Sequence, residues 1–205
     1  KKPRNTFCAA KPSSWLIALA QTYLRMALKY QNRVHVAPDD LKVFSSLVSG
    51  NGLILTPNHA DETDPPLCLE LSRLVGKRFM LMANRECFDE AWGMAGWVLQ
   101  RLGVFSVERG GNDDPAKKFA TGVVENGKDV LVIFPEGEIY YLNELVQPFH
   151  SGAIDIGIRA IIEKRRTNPD WTAYIIPMAI KYRYSEKIEK ILEKRVAKME
   201  KKLSQ

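Results

Sequence analysis

The stretch that decides the fold covers residues 52–66 and reads GLILTPNHADETDPP. Its first half contains the apolar run Leu53-Ile54-Leu55, which is typical of a buried strand. Its second half is polar and closes on Asp64 and two prolines, a pattern that indicates the start of a helix. The stretch therefore predicts a strand, a polar loop carrying His59, and then a helix.

The same alternation continues along the chain. Apolar runs predict strands at 53–56, 79–83, 104–107, 130–134 and 174–180. Helical periodicity predicts helices at 13–31, 38–47, 65–75, 91–102, 114–127, 151–164 and 185–203. Strands that alternate with helices favour an α/β fold. We expect a mostly parallel central sheet layered between helices, with amphipathic helices at both ends of the chain.

Some helices carry more detailed signals. Asp64 and Asp114 each precede a proline and are expected to be N-caps, and Gly127 suits a C-terminal cap. The helix at 151–164 is expected to turn four isoleucines inward: Ile154, Ile158, Ile161 and Ile162. The last helix has a narrow apolar stripe that needs a partner: Ile188, Leu192, Val196, Met199 and Leu203.

The net charge of +6 is unevenly distributed over the 205 residues. Residues 1–33 carry seven Lys or Arg and no acid, and residues 181–205 carry nine against four Glu. We therefore predict three parts: a basic membrane-docking segment at 1–33, an α/β domain at 34–183 and a charged helix at 184–205. Basic ends fit an anionic surface, although a charge run can equally be a solubility feature.

The helix at 13–31 is the best candidate for contact with a membrane. Aromatic and apolar residues recur on one face: Trp15, Leu16, Leu19, Tyr23, Met26 and Tyr30. Basic residues surround this face, as in helices that lie in the membrane interface. The alternative is that the helix packs on the protein's own core. The basic residues show little aromatic interleaving elsewhere, so nucleic acid is not an expected partner.

The cysteines and the hydropathy bear on the compartment. Cys8, Cys68 and Cys87 have no metal-ligand spacing and are expected to be reduced thiols, as in the cytosol. No apolar stretch approaches the ~20 residues that span a bilayer, and no secretory signal pattern is present. With 45% hydrophobic and 26% charged residues, the composition is that of a globular protein.

Three polar clusters come directly after predicted strands. They are residues 58–64, Glu108-Arg109-Gly110-Gly111 and Pro135-Glu136-Gly137-Glu138. Ligands of parallel α/β sheets bind in the crevice at the carboxyl ends of the strands. The three clusters therefore predict a functional site at this edge. The chain has no P-loop, no dinucleotide-binding fingerprint after a strand and no G-x-S-x-G elbow.

The first cluster offers a candidate base. Residues five apart on an ideal helix are separated by ~140°, so His59 and Asp64 can meet only if the loop folds back. Asp64 would then hold one imidazole nitrogen and leave the other free to take a proton. Imidazole, with an unperturbed pKa of about 6.5, suits a general base at neutral pH. Asp64 could instead serve only as a cap, or His59, Asp61 and Asp64 could hold a divalent ion.

The other two clusters are weaker signals when taken alone. Arg109 before two glycines and a helix start fits an anion site, or a flexible turn. Gly137 permits close approach of the backbone to a ligand, or a tight turn between solvated acids. A catalytic zinc usually needs a second nitrogen or sulfur ligand, and no further ligand pattern is visible, so we expect no metal.

Together and in order, these clusters resemble the lysophosphatidate acyltransferase-type glycerolipid acyltransferase family. Asn58-His59 through Asp64 is similar to the family's first block, a histidine and an aspartate separated by four residues. Residues 103–109, GVFSVER, look like the second block, Phe134-Pro-Glu-Gly137 like the third and Ile176-Pro177 like the fourth. The blocks span residues 53–180 in the family order.

The resemblance implies an O-acyltransferase that moves a fatty acyl chain from an acyl thioester, carried by coenzyme A or acyl carrier protein, to a lysolipid hydroxyl. His59 would be the general base and Asp64 would orient it, with no acyl-enzyme and no cofactor. Arg109 would hold the acceptor phosphate, and Ser106, Glu136 and Gly137 would line the acceptor site. Such an enzyme would work on the cytoplasmic face of a membrane as a peripheral or monotopic protein.

One departure from the family pattern concerns the acceptor. The third block commonly continues with threonine and arginine, where this chain has Glu138 and Ile139. Exchanging a positive for a negative charge weakens a phosphate site. The alternative function is a non-catalytic lipid-binding or membrane-scaffolding protein on the same fold.

Overall fold

We describe the protein from a computed structural model. The structure describes residues 7–31, 34–47, 50–108, 113–184 and 189–203.

The centre of the fold is a five-stranded parallel sheet. Its strands are β1 (Gly52–Pro57), β2 (Phe79–Asn84), β3 (Val104–Val107), β4 (Val130–Val132) and β5 (Ala173–Met178). They lie in the order β3-β2-β4-β1-β5, and every pairing is parallel. All six residues of β1 are buried, because this strand has neighbours on both sides and helices on both faces. The predicted α/β class is confirmed.

Helices cover both faces of the sheet. In the described residues they are α1 (Ser14–Gln31), α2 (Pro38–Leu47), α3 (Asp64–Val75), α4 (Met94–Arg101), α5 (Asp114–Asn126), α6 (Gly152–Arg165) and α7 (Glu189–Leu203). Alternation along β1 produces the two layers: Leu53 and Leu55 pack with α2 and α3, whereas Ile54 packs with α5 and α6.

The buried face of α6 differs from the prediction. Ile154, Ile158 and Ile162 are about half exposed. The buried residues of the helix are instead mostly small: Ala153, Ile156, Gly157 and Ala160. A Cβ at Gly157 would lie 3.4 Å from the Ile54 side chain, an ordinary van der Waals distance, so α6 packs directly on β1 at this position.

The helix predicted at 91–102 begins later, at Met94. Two short 3₁₀ turns, Arg85–Phe88 and Glu90–Gly93, precede it. The backbone at Ala91 and Trp92 is left-handed, with φ of 49° and 56°, which an α-helix does not allow. Glycine is the usual sequence signal of a left-handed turn. Neither Ala91 nor Trp92 is a glycine, so no local pattern predicted this turn.

Helix starts also differ from the prediction by one position. Thr63 and Asp113 occupy the N-cap positions, without a capping bond from either side chain, and Asp64 is the first residue of α3. Its carboxylate is therefore not occupied as an N-cap. The C-terminal cap at Gly127 is confirmed, with φ of 64°.

The terminal helices form where they were predicted. Helix α1 is fixed on α3 through the Gln21 amide, which donates to the Leu69 carbonyl and the Ser72 hydroxyl. The apolar stripe of α7 is exposed at Leu192, Val196, Met199 and Leu203, and Ile188 lies outside the described residues. Within the described ranges, no helix combines the length and the apolar character needed to cross a bilayer.

Candidate active site

The polar loop after β1 leaves the sheet in a fixed direction. The Asn58 amide donates to the carbonyl of Ile180 (3.1 Å) and accepts the backbone N–H of the same residue (2.6 Å). The Asn58 N–H donates to the Met178 carbonyl at the end of β5. These bonds extend the pairing of β1 with β5 by two residues, and they bring the backbone of His59 to the carboxyl edge of the sheet.

The loop then folds back, so that His59 and Asp64 meet. Nδ1 of His59 lies 2.9 Å from Oδ2 of Asp64. The same oxygen accepts the backbone N–H of Asp61 at 2.9 Å, which closes the loop. Asp64 is fully buried, whereas the His59 side chain keeps 13% exposure. The contact that the spacing of these two residues predicts is present in the structure.

The two other acids of the loop have structural partners. Oδ1 of Asp61 accepts both the N–H (2.9 Å) and the hydroxyl (2.8 Å) of Thr63, which shapes the turn before α3. Oε1 of Glu62 accepts the phenolic hydroxyl of Tyr141 at 2.8 Å. Asp61 therefore shapes the loop, and Glu62 ties it to the segment after β4.

The segment after β4 packs directly on His59. The Phe134 ring stacks on the imidazole, with ring centroids 4.1 Å apart. Glu136 is buried, and its two carboxylate oxygens accept the backbone N–H groups of His59 (2.8 Å) and Gln147 (3.1 Å). The resemblance implies that Glu136 lines the acceptor site. In the structure its carboxylate instead joins two backbone segments, because β4 and β1 are neighbouring strands.

Gly137 occupies a position that needs glycine. Its φ is 75°, and a Cβ there would lie 3.1–3.2 Å from the ring of His150. Its N–H donates to the Phe134 carbonyl at 3.1 Å. Gly137 therefore makes the turn that brings Phe134 and Glu136 onto His59.

Tyr182 completes the surroundings of Asp64, and sequence reasoning missed it. Its hydroxyl donates to Oδ1 of Asp64 and lies 2.8 Å from the Thr63 hydroxyl. Asn143 holds the Tyr182 backbone by accepting its N–H (2.7 Å) and donating to its carbonyl (2.8 Å). Tyr182 is 118 residues from Asp64 in the chain, so only the pairing of β5 with β1 reveals the contact.

The two other predicted site residues belong to β3 and to the segment that follows it in the sequence. Ser106 is buried, and its hydroxyl accepts the Cys8 N–H at 2.7 Å, so we do not retain it in the site. Arg109 lies outside the described residues. Two strands separate β3 from β1, so the carboxyl ends of these strands lie roughly 14 Å apart at ~4.8 Å per strand.

Two alternative chemistries at this site would be attack by a cysteine nucleophile and catalysis by a bound metal ion. Cys68, one turn after Asp64, is buried, and burial together with the Asp64 charge raises the pKa of its thiol to about 12. It is therefore protonated at neutral pH and unsuited to nucleophilic attack. Across the described part of the chain, no three His, Cys, Asp or Glu side chains come together as a group that could hold a metal ion.

This geometry defines a candidate general base. A buried carboxylate binds Nδ1 of His59, which leaves Nε2 to take a proton from a bound hydroxyl. A comparison with family models then identifies the class of protein. The family model described as "Acyltransferase" matches residues 23–181, well over half of the chain. The protein therefore belongs to the acyltransferase family. A search of curated proteins found no match.

Glu136→Gln tests the internal role of Glu136. A glutamine amide has one acceptor oxygen, so one of the two buried N–H groups loses its partner. We expect a loss of about 1–3 kcal/mol in the free energy of unfolding, measured by urea denaturation. Glu193→Gln, the same change at an exposed position on α7, is the control and should leave the midpoint unchanged. Equal stability of both variants would contradict the assigned role.

Proposed function

We propose that this acyltransferase moves a fatty acyl chain from an acyl thioester to a hydroxyl of a glycerolipid such as a lysophosphatidate. The observation that carries the proposal is the contact between Nδ1 of His59 and the buried carboxylate of Asp64. It supports a histidine base at the carboxyl edge of the sheet, where parallel α/β proteins bind their ligands.

The reaction would proceed in one direct transfer. Nε2 of His59 takes the proton of the acceptor hydroxyl as its oxygen attacks the thioester carbonyl carbon. The tetrahedral intermediate collapses to the ester and expels the thiolate of coenzyme A or acyl carrier protein. The imidazolium then returns the proton to the thiolate. No acyl-enzyme is required, and the protonated state of Cys68 fits this route.

The segment between β4 and α6 supports an amphipathic acceptor. It contacts His59 through Phe134 and presents exposed apolar side chains nearby: Tyr140, Tyr141, Leu142, Leu145, Val146 and Phe149. Such a surface fits acyl chains better than a small polar substrate. In this proposal Arg109 holds the acceptor phosphate. Glu136 and Gly137 shape the acceptor site through the backbone rather than by direct contact.

Helix α1 supports docking on a membrane. The side chains of Trp15, Leu19, Tyr23 and Met26 are 57–66% exposed. The polar Gln21, in contrast, points into the protein and binds α3. The helix thus exposes large apolar side chains on its outer face, whereas its inner face, with Leu16, Ile17 and Leu24, is partly buried. It contains no acidic residue, which fits an anionic lipid surface contacted by residues 1–33.

A second group of exposed apolar residues lies on the same face of the sheet. Trp92 is fully exposed, and Met94 and Trp97 are at least half exposed. Backbone bonds from Lys11 and Ser13 to the last turn of α4 place the start of α1 beside this group. The two groups together would enlarge the proposed lipid-facing surface.

The proposed setting follows from the substrates. A lysolipid acceptor and a long acyl chain both reside at a membrane surface, so the enzyme would act there as a peripheral or monotopic protein. Cys8, Cys68 and Cys87 form no disulfide with one another, which fits the cytoplasmic face.

His59→Ala tests the proposed chemistry. Loss of a general base should lower kcat/KM by roughly 10²–10⁴-fold, because the acceptor hydroxyl is no longer deprotonated as it attacks. The assay measures transfer of radiolabelled acyl groups from acyl-coenzyme A and from acyl carrier protein to a panel of lysolipids. His35→Ala changes an exposed histidine away from the site, so its rates should match the wild type.

Two outcomes would oppose the proposal. A folded His59→Ala variant with wild-type rates would remove the histidine base. A wild-type protein that binds vesicles but transfers no acyl group from either donor would favour the lipid-binding alternative.

Trp15→Ser and Tyr23→Ser test the docking surface. Each change removes a large apolar side chain from the proposed membrane contact, and we expect each to lower the vesicle partition coefficient roughly tenfold. Sedimentation with vesicles that contain anionic lipid measures the coefficient, and added salt should weaken binding further.

Ile162→Ser is the matched control, because Ile162 is similarly exposed but lies on α6, on the opposite face of the sheet. It should bind vesicles as the wild type does. If all three variants lose binding equally, α1 is not the docking element.

A further inference from the structure

The hydroxyl of Tyr182 reaches Asp64 from the side opposite His59. Oδ2 of Asp64 faces Nδ1 of His59 and the Asp61 N–H, and Oδ1 receives the Tyr182 hydroxyl. Tyr182 is itself anchored, because Asn143 binds both polar groups of its backbone. Each oxygen of the buried carboxylate therefore has a defined partner.

Counting protons fixes the direction of these bonds. An ionised Asp64 can only accept, so the single hydroxyl proton of Tyr182 belongs to the bond with Oδ1. At the 2.8 Å contact between Thr63 and Tyr182, the Thr63 hydroxyl must then be the donor. That proton is shared with Oδ1 of Asp61, which the same hydroxyl approaches at 2.8 Å.

The state of the phenol supports this assignment. Burial, together with the hydrogen bond to Asp64, raises the pKa of Tyr182 well above its usual value. The phenol therefore stays protonated and remains a donor throughout the neutral range.

We propose that Tyr182 is a positioning residue for the His59–Asp64 pair. Its hydroxyl holds Oδ1 of Asp64 and thereby keeps Oδ2 directed at Nδ1 of His59. The inference rests on the proposed function and adds to it a residue from the segment after β5. Tyr182 acts through Asp64 and is not assigned a contact with substrate.

The proposed role of Tyr182 predicts that removal of its hydroxyl changes the pH dependence of activity. Two carboxylates bind His59 directly, Asp64 at Nδ1 and Glu136 at the backbone N–H, and Asp61 lies in the same loop. Asp61 and Glu136 are bound by hydrogen-bond donors other than Tyr182. Without the Tyr182 hydroxyl, Asp64 loses a donor and attracts a protonated imidazole more strongly. The acidic limb of the pH profile of activity should then lie at higher pH.

The test is Tyr182→Phe in the full chain. We expect kcat to fall about 10- to 100-fold with KM little changed, in line with the loss of one hydrogen bond to a charged group. The acidic limb of the pH profile of kcat/KM should move to higher pH. Tyr174→Phe is the matched control, because it removes a partly exposed phenol hydroxyl at the start of β5, at the edge of the sheet opposite the site. It should change neither quantity.

Asn143→Ala is a second variant, for use if Tyr182→Phe does not fold. It removes both bonds that hold the Tyr182 backbone. We therefore expect the acidic limb of the pH profile of kcat/KM to move to higher pH, by a smaller amount than in Tyr182→Phe.

One readout does not depend on turnover. The Nδ1 proton of His59, observed by proton NMR, should exchange with water at least tenfold faster in Tyr182→Phe than in Tyr174→Phe. A wild-type protein without acyl transfer would overturn the proposed function, and the exchange measurement would still decide the role of Tyr182. An unchanged pH limb together with unchanged exchange in Tyr182→Phe would overturn the role itself.

Discussion

The buried carboxylate of Asp64 is the interaction on which the site depends. Its two oxygens accept from the His59 ring, the Asp61 N–H and the Tyr182 hydroxyl, so one side chain joins the loop after β1 to the segment after β5. A buried charge is tolerated only when it is paired and hydrogen-bonded. The hydrogen-bond donors that stabilise the Asp64 charge therefore also fix the position of the imidazole. The same carboxylate thus stabilises the fold and orients the proposed base.

The sequence predicted those parts of the molecule that local patterns encode. Apolar runs predicted the five strands of a mostly parallel sheet, and the resemblance to a known family predicted that Asp64 orients His59. Tertiary packing decided the rest. Helix α6 buries Ala153, Ile156, Gly157 and Ala160 and leaves Ile154, Ile158 and Ile162 about half exposed, because its packing on β1, β5 and α5 selects the buried face. No local pattern could reveal Tyr182, since its partner is 118 residues away.

The acids near the histidine have a physical explanation. Asp61 and Glu62 are bound by Thr63 and Tyr141, and Glu136 accepts two backbone N–H groups. Each of these carboxylates shapes or ties together segments around His59. In the proposed function, exposed apolar side chains in the segment after β4 and along α1 and α4 form the lipid-facing surface. The acids thus organise the loops around His59, and the proposed contact with lipid rests on apolar side chains.

The most direct test of this account is the tautomer of His59, measured by nitrogen-15 NMR of the imidazole ring in the wild-type protein. The account predicts that the neutral ring carries its proton on Nδ1, where Asp64 accepts it, and keeps a lone pair on Nε2. Asp64→Asn should remove this preference. A neutral ring protonated on Nε2 in the wild type would contradict the account, because that nitrogen could not take a proton from the acceptor hydroxyl.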